Sequence, residues 1–388
     1  MRKVKLKDIC TIKSGGTPSR KKKEFFGGSI PWAKISDITS SNGVLKKTEE
    51  YITEAGLSDI NNRLFKKGTL LFSMYGTLGE TAVAGTDLST NQAILGINPK
   101  NSNEIESEYL RYWFKYKQRE LDSLSRGVAL KNLSATIVKD FEIPLPSLSK
   151  QKAIVAKLDR AQRLIDIDKE MLAKYDELIQ SVFLEMFGDP VTNPKGWEVK
   201  KLGDLTTKVG SGSTPRGGSK VYQDHGNIFI RSQNVLMNKV DLSDVAYISD
   251  EIHEGMRNTW VQENDVLLNI TGASIGRVCV YNKSEAANVN QHVCILRPIQ
   301  DKIKPYYLSH LISSKNYQDK ILGQQTGGTR QAFNMTQIKN FDIPLPPLDF
   351  QTQFNGMLTK LKDEIQNLKV NSKKSEELFS SLVQGAFG

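Results

Sequence analysis

The sharpest catalytic pattern in the sequence is Gly272-Ala273-Ser274-Ile275-Gly276, which has the spacing of a nucleophile elbow. An elbow raises its serine on a turn that leads from a strand into a helix. Here the next residues, Arg277-Val278-Cys279-Val280-Tyr281, have the β-branched and aromatic character of a second strand, and the segment predicts a hairpin-like turn instead. No GxxxxGK[ST] phosphate loop, dinucleotide fingerprint or convincing nuclease carboxylate cluster occurs. Cys10, Cys279 and Cys294 are odd in number and lack CxxC spacing, and His225, His253, His292 and His310 are scattered, so neither a disulfide framework nor a zinc site is expected. The residues point to a chain with no catalytic centre, metal or cofactor of its own.

The chemistry that remains is recognition of polyanions. Lys and Arg number 53 against 43 Asp and Glu, a formal net charge of +10, and such a surface gains from neutralising phosphates and releasing their counterions. Lys and Arg grip phosphates or guanine edges, while Asn and Gln can bond adenine through two atoms. In the first half the candidates for DNA contact are Arg20, the run Lys21, Lys22 and Lys23, then Lys34, Ser73, Tyr75, Arg126 and Lys131. In the second half they are Arg216, Lys220, Arg231, Gln233, Asn269, Thr271, Arg330 and Gln331. The lysine run reads as a solvated, phosphate-attracting loop more readily than as a base reader.

What must position these residues is an internal repeat of about 200 residues. Leu6-Lys7-Asp8-Ile9 returns as Leu202-Gly203-Asp204-Leu205, and Gly15-Gly16-Thr17-Pro18 as Gly212-Ser213-Thr214-Pro215. The segment from Trp32 to Ile38 returns from Phe229 to Val235, Asn91-Gln92 returns as Asn290-Gln291, and both halves leave through Ile-Pro-Leu-Pro, at 143–146 and 343–346. If the halves read different targets, shared features such as Thr17-Pro18 and Thr214-Pro215 serve as scaffold or phosphate contacts. Differences at matching loops, such as Tyr75 against Thr271, are then candidates for base discrimination. Asn91 and Asn290 fit turn asparagines that bond their own backbone.

Short apolar stretches broken by Gly, Asn and Pro predict mainly β structure in the first hundred or so residues of each half. A helix follows from about Glu108 to Leu121, with a counterpart from about Tyr306 to Leu322. After each exit the apolar period becomes 3.5 residues. It runs through Ile154, Leu158, Ile165, Asp168, Leu172 and Ile179 in one copy, and through Leu358, Leu361, Ile365, Leu368, Ser372 and Phe379 in the other. Ser149 and Asp349 are the expected N-caps, with Gly188 and Gly388 as stops. Each helix, of about 38 residues, would be roughly 55 Å long. Termini of a domain commonly lie close together, so the second helix should return beside the first as an antiparallel coiled coil with Asp168 near Ser372. The expected class is α+β: two pseudo-symmetric mixed α/β domains, 1–148 and 189–348, with spacer helices at 149–188 and 349–388.

A hydrophobic share of 38% and a charged share of 25% fit a globular protein, and no apolar run approaches the roughly 18 to 20 residues of a membrane span. The segment from Met1 to Cys10 is charged without an apolar stretch, so a cytoplasmic location is expected.

Two variable halves, each leaving through Pro-Leu-Pro into a helix led by Gln151 or Gln351, resemble the specificity subunit of bacterial type I restriction-modification systems. The resemblance spans essentially the whole chain and rests on the duplicated order of the motifs. It implies two target-recognition domains that each read one half of a bipartite, asymmetric double-stranded DNA site, with the helices as spacer. It also implies partners: methylation subunits, expected to number two, that use S-adenosylmethionine, and a restriction subunit that uses ATP and Mg. A freestanding site-specific DNA-binding regulator is the alternative.

Overall fold

In the computed structural model the described residues are 2–75, 78–126, 133–323 and 332–388, excepting the side chains of 119, 120 and 122–126. The chain divides into two units, Met1–Lys169 with Lys369–Gly388, and Glu170–Leu368. Each unit holds one domain and half of each long helix.

In the first unit, strands β1 (Lys3–Lys5), β2 (Cys10–Ser14), β3 (Phe26–Ala33), β4 (Val44–Leu45), β5 (Glu50–Ile52), β6 (Leu70–Ser73), β7 (Thr81–Ala84), β8 (Ser89–Thr90), β9 (Ile94–Pro99) and β10 (Glu142–Pro144) form three sheets. Their orders are β2-β9-β6-β7-β4, β5-β3-β8 and the ribbon β1-β10. Alternation of apolar residues fixes which face each strand buries. On β6 all four residues are buried, because one face meets a helix and the other the smaller sheet. That helix is α1 (Ser107–Arg126), which turns Tyr109, Leu110, Trp113 and Phe114 inward, with Phe114 4.6 Å from Phe72 between ring centroids.

The second unit repeats this plan with β11 (Glu198–Lys201), β12 (Thr206–Ser211), β13 (Asn227–Ile230), β14 (Val235–Leu236), β15 (Lys239–Val240), β16 (Ala246–Ile248), β17 (Trp260–Val261), β18 (Val266–Asn269), β19 (Val278–Val280), β20 (Ala287–Val289), β21 (Val293–Pro298) and β22 (Asp342–Leu345). The sheet β12-β21-β18-β19 answers β2-β9-β6-β7, and β16-β13-β20 answers β5-β3-β8. The parallel pairing of β3 with β8 is reproduced by β13 with β20. The helix expected over 306–322 is instead two, α3 (Pro305–Ser313) and α4 (Lys315–Gly323), because Ser314 between them is extended (φ −63°, ψ 142°).

The long helices α2 (Leu148–Phe187) and α5 (Leu348–Phe387) each begin one residue before the expected cap. Ser147, not Ser149, accepts the Lys150 N–H through its hydroxyl at 3.4 Å, and Asp349 lies inside the first turn. Within the first unit, Leu158 and Ile165 of α2 share a core with Phe379 and Val383 of α5, with Ile154 partly buried beside them. Within the second, Ile179 and Phe183 share a core with Phe354 and Leu358, with Leu361 and Ile365 partly buried beside them. The start of one helix thus meets the end of the other, an antiparallel pairing. Leu368 is buried, and Leu172 and Ser372 are partly buried. The polar layer sits one turn from its expected place: Asp168 accepts from Ser375, not Ser372, at 2.9 Å. A second apolar stripe was not foreseen, in which Phe187 lies 4.8 Å from Tyr307 and Phe387 lies 5.2 Å from Tyr109, so the helix ends belong to the domain cores.

Each domain is tied to its helix by the same joint. The Gln151 side chain is fully buried, donates to the Glu104 and Pro146 carbonyls at 2.8 and 2.9 Å, and accepts from Glu106 N–H at 3.1 Å. Gln351 donates to Pro346 and accepts from Lys304 N–H, both at 2.8 Å. Tyr109 and Tyr307 donate to the carbonyls of Pro144 and Pro344.

Candidate DNA-reading surface

The Gly-Thr-Pro turn and the Asn-Gln pair, 75 residues apart in the first half, meet in both domains. The Thr17 hydroxyl donates to Gln92, and the Thr214 hydroxyl to Gln291. Beneath this clamp the backbone is locked identically. In the first domain Gly15 N–H bonds Ile94 O, Asn91 N–H bonds Ala33 O and Met74 N–H bonds Ala93 O, at 3.0, 3.0 and 2.8 Å. In the second, Gly212 bonds Val293, Asn290 bonds Ile230 and Ile270 bonds His292, each at 3.0 Å. The asparagines close turns on their own loops, Asn91 accepting from Ala93 N–H and Asn290 from His292 N–H, both at 3.1 Å. Glycine is required at the turn because a Cβ would stand 2.0 Å from the Thr90 hydroxyl at Gly15 and 1.9 Å from the Val289 carbonyl at Gly212.

On this frame the sequence candidates separate. Ser73 and Asn269, candidates for DNA contact from the sequence, are fully buried on β6 and β18. Asn269 spends its amide on the Ser232 carbonyl at 2.8 Å, so both belong to the framework. Tyr75 is 36% exposed, while Thr271 is half-buried with its hydroxyl 2.6 Å from His292 Nδ1. His292 is one of four histidines whose scatter in the sequence gives no metal site. The signal that would have found it is its place directly after the repeated Asn-Gln pair, where the first half has Ala93.

Lys34 and Arg231 follow β3 and β13, as matched, but each is occupied. Lys34 Nζ lies 2.6 Å from Glu49 and 3.0 Å from Glu50, which raises its pKa through those two hydrogen bonds. Glu50 also takes Arg20 at 2.6 Å, and that guanidinium, followed by the Lys34 ammonium, holds its carboxyl below the usual range although partial burial works the other way. The Arg20 guanidinium lies over Phe26 and Trp32 at 4.5 and 4.9 Å. Arg231 donates to the Asp244 carbonyl at 2.9 Å, and Gln233 donates to the Asp244 carboxylate at 2.8 Å. Lys21, Lys23, Arg216 and Lys220 are exposed and, among the described residues, have no carboxylate partner; Lys22 lies 4.9 Å from the Phe25 ring. Lys131, Arg330 and Gln331 lie outside the described residues, as does the side chain of Arg126.

Ser274 sits in a one-turn 3-10 segment, Gly272–Ser274, between the antiparallel strands β18 and β19. Gly272 and Gly276 are left-handed there, with φ of 72° and 86°. The turn feeds a strand, which leaves no elbow geometry for the serine. All three cysteines are buried, and burial pushes each thiol up to about 12. Among the described residues no helix is long and apolar enough to cross a membrane.

A duplicated domain with a repeated backbone frame, unlike side chains at matched surface points and a basic charge defines a two-module binding protein. Its sequence matches the type I restriction modification DNA specificity domain over residues 1–174 and again over 194–376, and the chain belongs to that family. It is a specificity subunit whose two halves are the DNA-recognition domains. The chain is 28% identical to the type I restriction enzyme MjaIX specificity subunit of Methanocaldococcus jannaschii, over 98% of this chain and 92% of that relative. Its fold resembles a chain solved in work on complex assembly and conformational transition of the type I R-M system, with a TM-score of 0.63, 19% identity, and 100% of this chain and 97% of that one covered. It also resembles the type I S subunit from M. genitalium, with a TM-score of 0.56, 13% identity, and coverage of 100% and 96%.

Proposed function

We propose that the protein reads a bipartite, asymmetric double-stranded DNA site, one half per domain, and contributes no bond-making step. The observation that carries this is the pair of identical backbone frames that present unlike side chains, Tyr75 and Ala93 in one domain and Thr271 and His292 in the other. A protein that read a palindrome would have no use for the difference. Arg20, Lys21, Lys22, Lys34, Arg216, Lys220 and Arg231 serve as phosphate or guanine contacts, those bonded to carboxylates exchanging partners when DNA arrives. Lys131, Arg330 and Gln331, with Arg126, remain candidates from sequence.

In this reading α2 and α5 set the gap between half-sites and dock two methylation subunits. Those subunits bring S-adenosylmethionine, and a restriction subunit brings ATP and Mg; the assembly works in the cytoplasm. The test is to map methylated adenines in a host genome with and without this gene, alongside co-purification. Loss of one two-part methylated motif, with methylation subunits retained on the tagged chain, is the expected result. An unchanged methylome and a chain that purifies alone yet binds one DNA sequence would instead identify a freestanding regulator.

A further inference from the structure

Four side chains in the second domain form one hydrogen-bonded row. The Thr214 hydroxyl donates to Gln291 Oε1, leaving the Gln291 amide nitrogen, which can only donate, 3.1 Å from His292 Nε2. With the amide so placed, His292 Nε2 must accept. The ring hydrogen is then on Nδ1, 2.6 Å from Thr271 Oγ1, which accepts it. Every member passes a hydrogen in the same direction, and the row ends on a Thr271 hydroxyl whose own hydrogen has no acceptor among the described residues and is left to donate. Gln291 is exposed, and His292 and Thr271 are half-buried, so that end is reachable. The Thr271 backbone is meanwhile fixed by its bridge to Ala332.

The first domain has the same clamp, Thr17 on Gln92, but the row stops there because Ala93 has no ring and Tyr75 replaces the threonine. We propose that Thr271, oriented by His292, is a specificity determinant of the second domain that donates to a base acceptor in one half-site. In the major groove the acceptors are guanine O6 and N7, adenine N7 and thymine O4. His292 acts as a positioning residue, since its two nitrogens are both engaged within the protein. This assignment rests on the DNA-reading function proposed above and says which atoms carry part of it.

The test uses the full-length chain and a library of DNA duplexes with randomised bases, from which bound sequences are recovered. Thr271→Val and His292→Ala should each lower the preference at the same position or adjacent positions of one half-site by about fivefold to hundredfold, the worth of one base contact. Thr271→Ser should keep the preference, and the other half-site should be unchanged in all three variants, which also reports that they are folded. Preferences intact at every position, or a uniform loss over all sequences as for a phosphate contact, overturn the assignment. If the unaltered chain recovers no two-part sequence, the DNA-reading function itself fails, and the assignment with it.

Discussion

Glu50 restrains the positive charge beside β3, so its removal should strengthen DNA binding in a way that salt reports. In Glu50→Gln the Arg20 guanidinium loses its carboxylate at 2.6 Å but stays seated over Phe26 and Trp32. Lys34 loses one of two partners and keeps Glu49 at 2.6 Å. The variant therefore frees between one and two cations. Each additional phosphate neutralised steepens the dependence of log affinity on log salt by about 0.9, which over a fourfold change in salt is about 3.5-fold in affinity. Between 50 and 200 mM salt, a range of about fourfold, the variant should lose about 3.5-fold to 12-fold more affinity than the parent, from a higher starting point at low salt. Fluorescence anisotropy with a labelled duplex reads both slopes. Asp87→Asn makes the same charge change at another surface ion pair, with Lys66 at 2.8 Å, and controls for net charge. Parallel salt lines for Glu50→Gln and the parent, or an equal steepening in Asp87→Asn, would refute the placement of this loop against DNA.

Three further outcomes concern stability. His310 is buried between Phe183 and Phe354, and burial, with Lys362 adding to it, lowers its pKa to about 3. The unfolded chain therefore binds the extra proton below about pH 6.5, so this group costs stability as pH falls towards 3; the protein should lose on the order of 1 kcal/mol between pH 7.5 and 5.5 through it, and chemical denaturation of His310→Leu should show that part of the slope removed. Gly15→Ala places a methyl 2.0 Å from the Thr90 hydroxyl and should cost about 1–3 kcal/mol or more in urea unfolding; an unperturbed midpoint would mean the turn is not held as described. Ser375→Leu strands the Asp168 carboxylate and should cost about 1 kcal/mol, whereas Asp168→Leu with Ser375→Leu should recover most of it; strict additivity in that cycle would dissolve the pairing.

The repeat, the Pro-Leu-Pro exits and the period of the long helices were legible because each is written in neighbouring residues. What crosses the chain was not. Lys3–Lys5 does not announce itself as a strand until Glu142–Pro144 supplies its partner, and Thr17 and Gln92 could be matched to their repeats without showing that they touch. Ser73 and Asn269 carry polar side chains at the ends of apolar runs, and their sequence does not show that every residue of β6 and β18 is buried. The 3.5-residue period located the seam, but not the packing of Phe187 and Phe387 on the domain tyrosines Tyr307 and Tyr109. The Ser314 break carries no Pro or Gly to mark it.

The ribbon through which each domain is entered and left makes the domain a cassette. Lys3, Val4 and Lys5 face Pro144, Ile143 and Glu142, and Lys200 and Lys201 face Ile343 and Asp342 in a ribbon of the same kind. A segment exchanged between the two sides of such a ribbon keeps the Gln151 and Gln351 joints whatever its side chains, because those joints bond only backbone groups, provided that it brings the tyrosines that pack on the helix ends, Tyr109 against Phe387 and Tyr307 against Phe187. A gene exchange that cuts at these two crossings and preserves those tyrosines would pass on a whole surface in one step, rather than by the slow accumulation of point changes. Specificity in this architecture can be inherited in blocks.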